Sequence, residues 1–281
     1  MLVEKITSRQ NPLIKRFRRV RTGVERGFVL IEGVRLVEEA LSSGIRFESI
    51  AYSPALESQE RGLALLDKLR AVPCRGANVS TQVMQAIADT ESPQGVLAII
   101  SRPFYEPGDL FGDDLRFIII ADQLQDPGNL GAIIRTAEAA GASGLLTTRN
   151  TVDPFNQKAL RASMGSAFRL PIATGARVKE LVSHCGQRDV RLVIAQPADD
   201  KGGDGKASAR QSSLCYTDAK FSDPFALVFG KESEGVSGEM SAAASEFIFV
   251  PMAPGVESLN VSAAAAIVLY EAARQRNFTF V

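Results

Sequence analysis

Short apolar runs alternate with helical stretches along the first hundred positions. Leu13, Phe17 and Val20 sit at helical spacing behind Asn11-Pro12, a capping side chain followed by proline at the first helical position. The pattern next predicts a strand at Phe28–Ile31, a helix at Val34–Leu41 stopped by Gly44, and a strand at Phe47–Tyr52. Helices near Arg61–Leu69 and Thr81–Ala88 and a strand at Val96–Ile100 follow. Strand and helix alternate, which argues for an α/β layer. The stretch 102–114 (RPFYEPGDLFGDD) holds two prolines and two glycines and breaks the rhythm. It reads as a linker between a smaller α/β domain at 1–101 and a second at 115–281.

The second half restarts with Phe117–Ala121, a continuous apolar run of the kind buried on both faces of a parallel sheet. Leu130, Ile133, Ile134 and Ala137 share one face of a helix expected at Leu130–Ala140. Further strands are expected at Gly144–Thr147, Arg191–Ala195, Phe225–Phe229 and Glu246–Val250, and an alanine-rich helix at Val261–Gln275. The polar, glycine-rich segment 197–213 (PADDKGGDGKASARQSS) reads as a mobile surface loop. There are no internal repeats.

With 281 residues, 45% hydrophobic and 23% charged, the chain is globular and large enough for a core without metal or disulfide staples. No apolar run approaches the ~20 residues that span a bilayer, and the polar N-terminus lacks a signal-like apolar segment. Cys74, Cys185 and Cys215 are far apart and form no C-x-x-C pair, which suits a reducing, cytoplasmic setting and gives no metal site. The net charge is zero, but residues 1–35 carry nine Lys/Arg against three acids, while residues 222–281 carry three against seven. Such asymmetry suits one end meeting a polyanion, although a solvated helix face would look the same.

Ligands in open α/β sheets bind in the loops at the strand carboxyl ends. Three such loops stand out: 122–131 (DQLQDPGNLG) leading to Arg135, 230–235 (GKESEG), and 251–260 (PMAPGVESLN). Singly, each has a plain structural reading. Asn129 is a natural cap for its helix, Asn260 or Ser262 for the last one, Glu232 a solvated carboxylate, and Arg135 a surface partner of Glu138. Together they favour a site. The ligand is not a standard dinucleotide, because no G-x-G-x-x-G opens either domain. A P-loop is also excluded, since Val236 stands where lysine is needed and Glu232 and Glu234 would repel phosphate. His184 is the single histidine and lies in a helical segment away from these loops, so a Ser-His-Asp hydrolase finds no support.

The segments 126–138 (DPGNLGAIIRTAE), 229–235 (FGKESEG) and 257–263 (ESLNVSA) resemble the three signature motifs of the SpoU (TrmH-type) RNA ribose 2′-O-methyltransferases. The segment 161–165 (RASMG) is similar to a stretch between the first two, and 8–12 (SRQNP) with 32–35 (EGVR) to the family's N-terminal RNA-binding extension. The resemblance implies an L30e-like first domain and a second α/β domain whose C-terminal segment is threaded into a deep trefoil knot, with no metal. It implies a homodimer that binds S-adenosylmethionine at Ala195, Gln196, Gly230, Val250, Met252 and Leu259. It assigns catalytic roles to Asn129, Arg135, Glu232, Ser258 and Asn260, and RNA contacts to Arg9, Lys15, Arg16, Arg18, Arg19, Arg35 and Arg161. Large-subunit (23S) ribosomal RNA is the expected substrate. Transfer RNA, a base-methylating relative or a non-catalytic RNA-binding protein of the same fold are the alternatives.

Overall fold

The structure is a computed structural model and describes residues 2–112, 117–197 and 213–278. The segment expected as a mobile loop, 197–213, lies outside the described residues except at its two ends. The chain divides into two compact units, Met1–Pro103 and Phe104–Val281.

The first unit runs β1 (Leu2–Ile6), α1 (Pro12–Arg21), β2 (Phe28–Glu32), α2 (Val34–Ser42), β3 (Phe47–Tyr52), α3 (Pro54–Glu57) and α4 (Glu60–Arg70). It continues with β4 (Arg75–Val79), α5 (Thr81–Ile87) and β5 (Val96–Ser101). The sheet order is β1-β4-β3-β5-β2, with β5 antiparallel to both neighbours and the other pairs parallel. Asn11 caps α1 as its sequence predicts, accepting the Leu13 N–H at 2.8 Å. Leu13, Ile14, Phe17 and Val20 bury the inner face of α1 against Leu30, Ala77, Val83 and Leu97, each apolar side chain contributing about 1.5–3 kcal/mol. Lys15 and Arg19 are left on its exposed side.

In the second unit β6 (Phe117–Ala121), α6 (Pro127–Ala139), β7 (Gly144–Thr148), α7 (Gln157–Ser163), β8 (Ile172–Ala176) and α8 (Val178–Gln187) come first. Then follow β9 (Arg191–Ala195), β10 (Leu214–Cys215), β11 (Phe225–Phe229), α9 (Gly238–Ala242), β12 (Glu246–Phe249) and α10 (Val261–Gln275). All strand pairs are parallel, in the order β10-β12-β9-β11-β6-β7-β8. Every residue of β6 and β11 is buried, as continuous apolar runs require. From β6 the chain steps outward through β7 to β8, then returns past β6 to β9. The strand order reverses there, and a reversal of this kind opens a crevice at the carboxyl ends. From β12 the chain passes back over the ends of β9 and β11, and α10 packs on α6.

Candidate functional site

The first loop corrects one expectation. The cap of α6 is Asp126, whose Oδ1 accepts the Asn129 N–H at 2.8 Å, with Pro127 at the first helical position. The helix therefore starts three residues before Leu130, and the amide of Asn129 is released from capping. Lys158 Nζ donates to the other oxygen of Asp126 at 2.7 Å. That bond, with the Asn129 N–H, holds the Asp126 carboxyl below its usual range. At Gly131, α6 meets α7 so closely that a Cβ would lie 2.4 Å from the Ala159 carbonyl oxygen.

Asn129 instead joins the three loops. Its Nδ2 donates to Glu232 Oε1 at 2.6 Å, and its Oδ1 accepts from Asn260 Nδ2 at 3.0 Å. Asn260 Oδ1 in turn accepts the Ser262 N–H at 2.9 Å and so caps α10. A carboxylate only accepts, and a helix N–H only donates. Those two ends fix the orientation of both amides between them, and Glu232 is no solvated bystander.

The second loop is a tight hairpin. Lys231 and Gly235 exchange backbone hydrogen bonds at 2.9 and 2.8 Å, and a Cβ on Gly230 would lie 2.3 Å from the Gly235 carbonyl carbon. Only glycine fits that crossing. The third loop is exposed except at half-buried Met252. Among the described residues the backbone of 251–259 closes on itself once, Val256 N–H to the Ala253 carbonyl, leaving a run of peptide groups for a ligand.

These loops enclose a cavity of about 530 Å³, inside the usual range for small-molecule sites. Its wall includes Ala195, Gln196, Gly230, Val250, Met252 and Leu259, together with Glu232, Ser258 and Asn260. Asn129 and Arg135 stand outside this lining. Ile194, Phe229, Ile248, Ala264 and Val268 supply apolar surface that sequence reasoning did not single out, because strand ends and a helix turn look like ordinary core. Asp122 was missed as well. It is fully buried, and its signal is an acid placed directly after five apolar residues.

Arg135 is exposed on α6 and makes no ion pair among the described residues. It does not pair with Glu138, which binds Arg169 at 2.6 Å. Arg161 is exposed on α7. In the first unit Arg9, Lys15, Arg19 and Arg35 are exposed and Arg18 is half-buried. Arg16 is more committed: it pairs with Glu25 at 3.3 Å and lies 4.7 Å from the centre of the Phe28 ring. Burial pushes the Cys185 thiol up to about 12, which makes it a packing group. No group of three or more metal-ligating side chains occurs, and no helix is long and apolar enough to cross a membrane, among the described residues.

A parallel sheet with a loop-walled small-molecule cavity at the carboxyl ends of β9, β11 and β12, joined to a basic α/β unit, defines a two-domain α/β enzyme. A family model described as the SpoU rRNA Methylase family matches residues 116–270, and one described as the MRM3-like substrate binding domain matches 4–98. The chain is 31% identical to the 23S rRNA guanosine 2′-O-methyltransferase RlmP of Bacillus subtilis, covering 95% of this chain and 98% of that protein. Among solved structures it resembles the AdoMet-bound rRNA methyltransferase from Sinorhizobium meliloti, with a TM-score of 0.80, 30% identity, and 97% and 98% of the two chains covered. The SpoU methyltransferase AviRb from Streptomyces viridochromogenes in complex with AdoMet is similar too, with a TM-score of 0.80, 27% identity, and 95% and 99% coverage. The chain belongs to the SpoU rRNA methylase family, and it is an RNA methyltransferase.

Proposed function

We propose that this enzyme methylates a ribose 2′-hydroxyl of 23S ribosomal RNA, with the cavity at the ends of β9, β11 and β12 holding S-adenosylmethionine. One observation carries the reading: Asn129, Glu232 and Asn260, from three loops far apart in sequence, form a single hydrogen-bonded chain beside that cavity. The relatives that share nearly the whole chain favour large-subunit ribosomal RNA over transfer RNA.

The cavity fits a nucleoside-sized donor in volume, in its apolar walls and in its open peptide groups. S-adenosylmethionine would supply there an activated sulfonium methyl group for transfer to the ribose 2′-oxygen. Ala195, Gln196, Gly230, Val250, Met252 and Leu259 hold the donor, largely through the backbone of their loops. The protein's remaining tasks are alignment and help with deprotonation. Arg135 orients the 2′-oxygen or its neighbouring phosphate and stabilises developing negative charge. A guanidinium offers hydrogen-bond donors and no acceptor, so the hydroxyl proton passes to a phosphate or to water. Asn129 and Glu232 keep the first two loops in register, and Ser258 and Asn260 shape the third.

Arg9, Lys15, Arg18, Arg19 and Arg35 grip RNA phosphates with the first unit, and Arg161 adds a contact from the second. The enzyme works in the cytoplasm as a homodimer. Ala263, Ala266, Ile267 and Tyr270 form a partly exposed apolar stripe on α10 that suits a second copy. The return of the chain from β12 over β9 and β11 suits the threading of a trefoil knot. The test is transfer of labelled methyl groups to unmethylated 23S, 16S and transfer RNA, each assayed separately. Label confined to 23S RNA is expected; label in transfer RNA alone would overturn the substrate assignment. Arg135→Ala should abolish transfer and leave donor affinity unchanged, and equal loss of both would refute its role.

A further inference from the structure

We infer that Asp122 is the positioning residue that sets the second loop against the cavity; the inference rests on reading that cavity as the donor site. Asp122 directly follows β6 and is 0% exposed, where a carboxylate is costly unless every oxygen is satisfied. Its Oδ1 accepts from Thr148 Oγ1 at 2.7 Å, and its Oδ2 accepts the Ser237 N–H at 2.7 Å. Its own N–H donates to the Phe229 carbonyl at 2.8 Å. Phe229 and Ser237 are the residues immediately before and after loop 230–236, so one residue clamps both ends of it.

Thr148 donates here because a carboxylate only accepts, while its oxygen shares the Gln123 N–H, at 3.1 Å, with Thr151 Oγ1, at 2.9 Å. Between the clamped ends Lys231 and Gly235 exchange backbone hydrogen bonds at 2.9 and 2.8 Å, which tie the two sides of the hairpin together. A shift at Ser237 therefore reaches both the Gly230 wall and Glu232, whose bond to Asn129 is 2.6 Å long. Asp122 lines none of the cavity and acts wholly through this loop.

The test is calorimetric titration of S-adenosylhomocysteine into the full chain, reading affinity and stoichiometry separately. Binding by the wild type tests the cavity assignment alone; no binding would overturn that assignment and this inference with it. Asp122→Ala should weaken binding about tenfold or more at full stoichiometry, as expected for losing a buried, charge-assisted contact. Asp122→Asn should restore affinity, because its oxygen can accept from Ser237 while its amide faces Thr148. A reduced stoichiometry with unchanged affinity in Asp122→Ala marks a merely structural role and overturns the inference. If that variant does not fold, Ser237→Pro removes the N–H that Asp122 accepts, at a backbone φ of −59° that proline adopts. The same loss of affinity is expected there, and unchanged affinity would overturn the inference.

Discussion

Replacing Asn129 should disable the site while sparing the fold. Asn129→Ala removes a hydrogen bond to the Glu232 carboxylate and one from the Asn260 amide. Bonds to charged groups contribute roughly 1.5–3 kcal/mol and neutral ones about 0.5–1.5 kcal/mol, and this network is solvent-exposed, so the low end applies. The sum, about 2 kcal/mol, corresponds to a roughly thirtyfold fall in kcat/KM. The melting temperature should fall by only a few degrees, because Asp126 and not Asn129 caps α6. Asn129→Asp is harsher, since a carboxylate then faces Glu232 at the present 2.6 Å. Even in water two like charges at that separation repel by about 1.6 kcal/mol, on top of the lost bond. Like charge raises the pKa of one member of the pair, so the defect should shrink as pH falls far enough to place a shared proton between them. Single-turnover methyl transfer across pH, with thermal unfolding in parallel, measures all three effects. Wild-type kcat/KM in Asn129→Ala would refute the network, and a parallel collapse of activity and melting temperature would place Asn129 in the fold instead.

Gly230→Ala should lower the melting temperature and abolish donor binding together, because backbone atoms only 2.3–2.5 Å from the new Cβ must move; overpacking of this kind costs about 1–3 kcal/mol. For Asp126 the folded-state pKa is depressed, so its stabilisation is complete above the unfolded value and is lost as pH falls through the folded one. The melting-temperature gap between wild type and Asp126→Asn should therefore close below about pH 4. Changing Lys15, Arg18 and Arg19 to glutamine should flatten the salt dependence of RNA binding, by about one unit of log–log slope per lost phosphate contact, with donor affinity unchanged. Filter binding across salt concentrations checks this, and an unaltered slope would move the RNA surface elsewhere.

Most of the fold was legible because its strands carry strong periodic signals. β6 and β11 are unbroken apolar runs, and α1 and α10 announce themselves by cap and face. The strands that escaped notice are weak in pattern. β1 reads LVEKI, two of its five residues charged, and occupies a sheet edge; β4 reads RGANV; β8 reads IATGA and is also an edge strand. Their pairing is imposed by neighbours, which no local window contains. At the site, residue types pointed to the right loops, yet the bonds of Asn129 span 103 and 131 positions and are invisible along the chain. The cap of α6 was misplaced for a local reason. Asp-Pro at 126–127 is the same start signal as Asn-Pro at 11–12, but the apolar face first becomes visible at Leu130.

Whether the methyl group ends on a ribose oxygen is decided by alkaline digestion of RNA labelled by the wild-type enzyme. A methylated 2′-oxygen cannot attack its phosphodiester, so label should appear in an alkali-resistant dinucleotide and disappear from the product of Arg135→Ala. Label in mononucleotides would mean a base had been methylated and would contradict the account at its centre.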